Sequence, residues 1–222
     1  MTEVDVRQRI LAANEAAAAD VRARFAASRT LVVNLISSPG SGKTTLLEQT
    51  IARLRDRVRI AAVDGDIATE RDADRLRRMG VPAHQILTGG SCHLDARQMV
   101  AALETARFGD VDLLLVENVG NLICPTNYDL GEDFKVVVLS VAEGEDKPFK
   151  YPAIFARAEV CVISKSDLLP HVPFAMDEVL GQVRTLRPDG RIVVCSARTG
   201  EGLDDWCALL LERLEAKRAA AR

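Results

Sequence analysis

The chain has 222 residues, of which 48% are hydrophobic and 27% charged, a composition too apolar for a disordered protein. Its 29 Lys and Arg and 32 Asp and Glu leave a net charge of −3, which does not favour nucleic acid as a partner. We expect neither a membrane span nor a secretory signal, because aliphatic runs are short and the amino-terminal sequence is charged. With five cysteines in no framework spacing, we therefore expect a cytoplasmic location with free or metal-bound thiols.

Helical and strand patterns alternate along the chain. Residues 3–27 predict an opening helix, and we divide the chain into an amino-terminal helix, 1–29, and a single domain, 30–222. Later helices are predicted over 45–54, 72–80, 93–106 and 203–218. Val-, Ile- and Leu-rich runs predict seven strands, at 31–36, 59–65, 84–90, 111–118, 135–142, 159–165 and 191–197. This alternation predicts an α/β fold with a doubly wound, mostly parallel sheet of about seven strands, whose ligands lie beyond the carboxyl ends of the strands.

A phosphate-binding loop follows the first predicted strand. Residues 37–44 read SSPGSGKT and match the P-loop pattern, with Ser37 in place of the usual first glycine. Glycines let backbone N–H groups turn toward an anion, and the following helix adds its positive end. Lys43 is expected to reach the β and γ oxygens, and Thr44 to bind Mg²⁺. The predicted nucleotide-contacting residues of this loop are Pro39, Gly40, Ser41, Gly42, Lys43, Thr44 and Thr45.

Acidic residues at the ends of two predicted strands can complete a Mg²⁺ site with Thr44. Asp66 and Glu117 are the candidates, with Asp64 as an alternative to Asp66, and Lys43, Asp66 and Glu117 form the predicted catalytic set. Residues 117–120, ENVG, resemble the switch segment of nucleotide hydrolases, so the Gly120 N–H is expected to sense a γ-phosphate. No Gln or His is placed to orient a water, so we expect slow hydrolysis.

Two further segments predict that the bound base is guanine. Asp167, in SKSD after a strand, can accept from the N1–H and 2-amino groups of guanine, whereas adenine presents a lone pair at N1. Lys165 can lie along the base plane, and Ser164 stands where Asn is usual, which is expected to lower affinity. The segment CSAR resembles a second guanine box, with Ser196 and Ala197 at the base and the Ala197 N–H at O6. GTP and GDP are therefore the expected ligands.

Cysteine and histidine residues also gather at this predicted edge of the sheet. Cys92 and His93 follow a glycine-rich turn and are predicted to open a helix, and Cys124 lies just past the switch-like segment. Thiolate and imidazole suit Ni²⁺ and Zn²⁺, but standard zinc spacings are absent, so spacing alone leaves metal binding open. Three ligands also need a water or a second chain to complete a tetrahedral set. The other cysteines are expected to pack in the core: Cys161, Cys195 and Cys207.

From residue 30 onward the sequence resembles the hydrogenase/urease nickel-incorporation GTPases, in particular the HypB-type GTPases of hydrogenase maturation. The motifs that carry the resemblance include TGGSCHLDA, ENVGNLICP and EGEDKPFKYP, beside the P-loop. The resemblance implies a SIMIBI-like P-loop GTPase fold, GTP hydrolysis and a homodimer favoured by GTP. It further implies a Ni²⁺ or Zn²⁺ site at the dimer interface, with Cys92, His93 and Cys124 as ligands. Implied partners are a hydrogenase large-subunit precursor and other maturation proteins, with no nucleic acid and no membrane.

The sequence departs from some members of this family at the amino terminus, and the loop after Glu117 suggests a mechanism. Some members carry an amino-terminal nickel-binding cysteine motif or a histidine-rich stretch, which we do not expect here, since no Cys precedes Cys92 and no His precedes His84. Cys124 follows Glu117 by seven positions, so we expect GTP to order this loop and close a dimer, and hydrolysis to change metal affinity. Lys147 and Lys150 could reach nucleotide across the dimer, although solvated surface lysines fit equally well.

Three other functions remain open from the sequence. The first is a GTPase chaperone of another cofactor enzyme without a nickel role. The second is a small P-loop kinase, against which the two guanine boxes speak. The third is a metal-binding module in which the P-loop is only structural.

Overall fold

The computed structural model describes residues 3–106 and 108–220, with side chains from residue 8 onward. Seven strands form one sheet in the order β3-β2-β4-β1-β5-β6-β7, and every neighbouring pair is parallel. The predicted α/β class is confirmed, and the sheet is wholly parallel rather than mostly so. The strands are β1 (Leu31–Ser37), β2 (Ile60–Asp66), β3 (Ala83–Leu87), β4 (Leu113–Glu117), β5 (Phe134–Ser140), β6 (Val160–Ser164) and β7 (Arg191–Val194).

Eight α-helices occur in the described part of the chain. They are α1 (Glu3–Ser28), α2 (Lys43–Leu54), α3 (Arg71–Arg78), α4 (Ala96–Thr105), α5 (Lys147–Lys150), α6 (Pro152–Arg157), α7 (Met176–Leu186) and α8 (Leu203–Ala220). Short 3₁₀ turns follow three strands, at Cys124–Asn127, Val141–Glu143 and Ser166–His171. None of the described helices has a stretch both long and apolar enough to pass through a bilayer.

Helices cover both faces of the sheet, which explains why the central strands are largely apolar. Val33 and Leu35 of β1 face one core, whose other members include Trp206 of α8. Val32 faces a second core on the opposite side, together with Val21 of α1. Successive side chains of a strand point to opposite faces, so a strand covered on both sides needs apolar residues at nearly every position.

The amino-terminal helix α1 is packed against this framework. Phe25 is buried with residues of α4 and β4 in the second core. Asn14 is also buried, and its side chain donates to the carbonyl of Asp129 at 2.8 Å and accepts from the N–H of Ala96 at 2.8 Å. The helix therefore holds two loops of the domain in place, while the division at residues 29 and 30 stays a prediction.

One helix prediction needs correction, and three further helices were not predicted. The helix predicted from residue 93 begins at Ala96, because Asp95 caps it and exchanges side-chain and backbone hydrogen bonds with Gln98. Cys92 and His93 therefore lie in the preceding loop and do not open the helix. Helices α5, α6 and α7 were not predicted; the first two are short, and α7 carries Gly181 in its middle.

Candidate nucleotide and metal site

The P-loop forms a cradle at the carboxyl end of β1. Gly40 and Gly42 adopt φ values of 77° and 94°, a left-handed conformation that favours glycine. Lys43 is buried, and its Nζ donates to Oγ of Ser37 at 2.8 Å. Ser41 donates to the same oxygen at 2.5 Å, so the serine at the first loop position serves as an acceptor within the loop. Burial lowers the pKa of Lys43, while the nearby carboxylates of Glu117 and Asp64 oppose that shift.

Two carboxylates face this cradle from adjacent strands. Asp64 of β2 stands directly opposite Glu117 of β4, and Oε1 of Glu117 accepts from the Thr44 hydroxyl at 2.9 Å and lies 4.0 Å from Lys43 Nζ. Burial raises the pKa of Glu117 to about 8 and that of Asp64 to about 7. Glu117 Oε2 and Asp64 Oδ2 are buried with no hydrogen-bond partner among the described residues. Such oxygens beside a phosphate cradle fit the donor set of a Mg²⁺ ion.

Asp66, the predicted Mg²⁺ ligand, lies two residues further along β2. Its Oδ1 accepts from the N–H groups of Ala68 and Thr69 at 2.8 and 2.9 Å, so this oxygen organises the loop that follows the strand. Asp64 and Asp66 both line a cavity of 510 Å³ together with the P-loop and residues 117–120. The strand register places Asp64 closer to Glu117 than Asp66, and both remain candidate ligands.

The switch-like segment lies directly on the P-loop. A Cβ atom at position 120 would stand 2.9 Å from Cγ and 3.0 Å from N of Pro39. Only glycine permits this close approach, so Gly120 holds the segment against the loop that would carry the phosphates. This contact fits the predicted role of its N–H as a sensor of the γ-phosphate.

The two predicted guanine boxes meet at a second cavity of 260 Å³, next to the P-loop. Asp167 accepts from the Ser196 hydroxyl at 2.6 Å, and Ala197 and Lys165 also line the cavity. Lys165 has a left-handed backbone, with φ 59°, and its Nζ donates to the carbonyl of Gly40 at 2.7 Å. The sequence-predicted base and phosphate residues are therefore brought together at one edge of the sheet.

Ser164 provides a connection that sequence reasoning missed. Its hydroxyl donates at 2.7 Å to the carbonyl of Ser41 in the P-loop, although 123 residues separate them. The sequence predicted that a serine in place of the usual Asn lowers nucleotide affinity. The structure shows that the smaller side chain still joins these two segments through one buried hydrogen bond.

Cys92, His93 and Cys124 also converge. One potential ligand atom from each lies within 4.8 Å of the others, and Sγ of Cys92 is 3.8 Å from Nδ1 of His93. A hydrogen bond with Cys124 and burial raise the pKa of the Cys92 thiol. The His93 ring packs against the Tyr128 ring at an angle of 38°, with 3.9 Å between ring centroids. Two thiols and an imidazole in this arrangement offer a three-ligand site for a soft or borderline metal ion.

The other cysteines and the two lysines of α5 make contacts within the chain. Cys161, Cys195 and Cys207 are buried, as predicted. In α5, Lys150 forms an ion pair with Asp146, and Nζ of Lys147 lies 5.7 Å from the centroid of the Tyr151 ring. These contacts lie within one chain, so a contribution of either lysine to a partner's nucleotide stays a prediction.

Comparison with known proteins agrees with this geometry. Residues 31–194 match the nucleotide-binding domain of the CobW/HypB/UreG family. The chain belongs to this family. Hydrogenase maturation factor HypB of Escherichia coli (strain K12) is 48% identical over 220 residues, which cover 99% of this chain and 74% of that protein. The predicted membership in the HypB-type group is therefore confirmed.

Two solved structures of CobW/HypB/UreG-family proteins are similar in fold and sequence. HypB from Helicobacter pylori in complex with nickel gives a TM-score of 0.87 at 39% identity, covering 94% of this chain and 97% of that chain. Hydrogenase maturation factor HypB from Archaeoglobus fulgidus gives 0.86 at 40% identity, covering 91% and 99%. The predicted SIMIBI-like P-loop GTPase fold is confirmed by this agreement.

Proposed function

We propose that this chain is a GTP-hydrolysing metallochaperone that helps to insert nickel into a hydrogenase. The observation that carries the proposal is the cluster of Cys92, His93 and Cys124, whose ligand atoms lie within 4.8 Å of one another. Cys124 is on the loop whose first residues, 118–120, line the nucleotide cavity. The solved HypB of H. pylori, to which the chain is similar, is described as a complex with nickel. Together these observations support nickel as the cargo and GTP as the ligand that controls it.

The P-loop residues supply the charges that the phosphates of GTP need. The backbone N–H groups between Pro39 and Thr45 and the Nζ of Lys43 would hold the β and γ oxygens. Thr44, Glu117 and either Asp66 or Asp64 would hold Mg²⁺, which neutralises phosphate charge when bound. Gly120 would donate its N–H to the γ-phosphate. Because no described Gln or His side chain lines the phosphate cavity, we propose slow hydrolysis.

Asp167 is the group that would select guanine over adenine. Its carboxylate can accept from two donors on the guanine edge, while Lys165 covers the base and Ala197 offers its N–H to O6. The Ser196 hydroxyl donates to Oδ1 of Asp167 at 2.6 Å and fixes the orientation of the carboxylate. This arrangement favours a protein that binds GTP and GDP over a metal-binding module in which the P-loop is only structural.

Nickel would be held by three side chains of one protomer, with Zn²⁺ as the other metal that this donor set accepts. A water or a ligand from a second protomer would complete the coordination. We propose that GTP favours the homodimer and that hydrolysis loosens it and changes metal affinity. The recipients would be a hydrogenase large-subunit precursor and other maturation proteins, and the site of action the cytoplasm.

The test is a calorimetric titration of Ni²⁺ into the protein with GDP or a non-hydrolysable GTP analogue, followed by gel filtration. We expect one high-affinity nickel site that Cys92→Ser and Cys124→Ser remove, and a dimer that forms with the GTP analogue. Cys207→Ser, at a core cysteine away from the cluster, is the matched control. Nickel binding unchanged by the two cluster variants would favour a GTPase chaperone of another cofactor enzyme. Phosphoryl transfer to a small acceptor would indicate a kinase.

A further inference from the structure

The side chain of Asn118 lies between the candidate nucleotide site and the candidate metal cluster. It is 2% exposed and immediately follows Glu117 at the end of β4. Its Oδ1 accepts from the N–H of Leu94 at 3.1 Å and from the N–H of Val119 at 3.0 Å. Leu94 follows the candidate ligand His93, and Val119 precedes the phosphate sensor Gly120. One amide oxygen thus holds the backbone of both loops.

Buried neighbours fix the orientation of this amide. Nδ2 of Asn118 donates to Oδ1 of Asn34 at 3.2 Å, and Nδ2 of Asn34 donates to Oε1 of Glu132 at 3.3 Å. The other oxygen of Glu132 accepts from the N–H of Leu130 at 2.6 Å. A flipped Asn118 would turn its NH₂ toward two N–H donors, so the oxygen must face Leu94 and Val119. Every hydrogen bond of this network is therefore donated in the direction of the Glu132 carboxylate.

Leu94 also touches the nucleotide side through its side chain. A Cβ atom at position 65 would lie 2.7 to 2.8 Å from the Leu94 side chain, so Leu94 rests directly on the backbone of Gly65. Gly65 stands between the two candidate acids Asp64 and Asp66 on β2. Leu94 is 0% exposed and has little room to move independently of this strand. The residue after His93 is thus held at both its N–H and its side chain by parts of the nucleotide site.

We propose that Asn118 is a positioning residue that transmits the nucleotide state to His93. Movement of residues 118–120 with the bound phosphate shifts the acceptor of the Leu94 N–H, and the adjoining His93 shifts with it. This route differs from the covalent one, in which the loop from Glu117 leads to Cys124. It moves the Cys92–His93 side of the metal site, whereas the covalent route moves the Cys124 side. The proposal rests on the proposed function of nucleotide-controlled nickel binding.

The experiment measures nickel affinity of the full chain with GDP and with a non-hydrolysable GTP analogue, and takes the ratio of the two dissociation constants. Asn118→Ala removes the acceptor, and Asn118→Leu removes it while filling the space. Ser91→Ala is the matched control, because the Ser91 hydroxyl donates to the carbonyl of His93 at 3.0 Å and does not line the nucleotide cavity. Circular dichroism and GDP affinity check that each variant is folded.

We expect both Asn118 variants to bind Ni²⁺ and GDP. The logarithm of the ratio of their two nickel dissociation constants should fall to half of the wild-type value or less. The Ser91 control is expected to change nickel affinity equally in both nucleotide states and to keep the ratio. A merely structural role for Asn118 would also keep the ratio, and a wild-type ratio in a folded variant overturns the proposal. If the unmutated protein binds Ni²⁺ equally tightly in the two nucleotide states, the proposal is overturned as well. If the unmutated protein binds no nickel or no GTP, the proposed function itself is contradicted.

Discussion

Asp167→Asn provides the sharpest test of the candidate base site. The hydroxyl of Ser196 accepts from the N–H groups of Arg198 and Thr199 at 3.2 and 3.1 Å, so both lone pairs are used and its hydrogen must be donated to residue 167. In the variant, the amide oxygen must take this bond. The new NH₂ group then points toward the base, where guanine presents donors.

The expected loss follows from this fixed orientation. A hydrogen bond to a charged group contributes roughly 1.5–3 kcal/mol, and here one such bond is replaced by a contact between two donors. We therefore expect GDP affinity to fall by about 3 kcal/mol, or roughly 100-fold. Xanthine carries an oxygen where guanine carries its 2-amino group, so the variant should bind XDP more tightly than the wild type does.

Competition titrations against a fluorescent nucleotide, with GDP, XDP and ADP, measure these changes. Arg198→Ala is the control, because Arg198 Nη1 lies 3.4 Å from Oδ2 of Asp167 but its side chain is 80% exposed. Such an exposed pair contributes less than about 1 kcal/mol, so the control should keep near-wild-type affinity. GDP affinity of Asp167→Asn within threefold of wild type, or no gain for XDP, would refute the assignment.

Three further predictions test other parts of the molecule. Cys124→Ser should weaken Ni²⁺ binding at least tenfold in calorimetry and leave GDP binding unchanged. Ser164→Ala should lose the buried bond to Ser41, about 1 kcal/mol, and weaken GDP binding roughly fivefold in the same competition titration. Asp112→Asn should lower the free energy of unfolding by about 1–2 kcal/mol in urea titrations at pH 7. Two arginines lower the pKa of Asp112, so this difference should persist above its ordinary pKa and shrink as the pH falls below it.

The sequence predicted the strands well because their signal is local. A strand covered on both faces shows itself as an apolar run, and all seven runs were found. The start of α4 was predicted three residues early, although the pair Asp95 and Gln98 is a local capping signal that could have placed it. Helix α7 was missed: Val179 and Val183 bury one face, but Gly181 between them weakens the helical pattern.

In the candidate site, too, local motifs could be assigned from the sequence and contacts between distant segments could not. The P-loop and both guanine boxes are contiguous motifs, so their residues could be assigned from the sequence. The pairing of Asp64 with Glu117 could not be assigned, because it depends on β2 lying next to β4, two strands that are not consecutive in the chain. The contact between Leu94 and Asn118 depends on the same neighbourhood. Such contacts come from strand order, which no local pattern encodes.

The parallel sheet itself provides a structural basis for the proposed coupling between nucleotide and metal. All seven strands end at the same edge, and the loop after β4 that carries Cys124 lines the phosphate cavity at residues 118–120. The loop after β3 that carries His93 is joined to that segment by the hydrogen bond from the Leu94 N–H to Asn118. In the proposed coupling, the Leu94–Asn118 hydrogen bond connects the His93 loop to the nucleotide site, and the chain itself connects the Cys124 loop to Glu117. Coupling between sites is reciprocal, and typical values are about 1–3 kcal/mol, so a nucleotide that tightens nickel binding tenfold must itself be bound tenfold more tightly when nickel is present. Measuring both affinities in one series therefore determines the coupling free energy twice, and unequal factors would show that the two titrations do not report the same equilibrium.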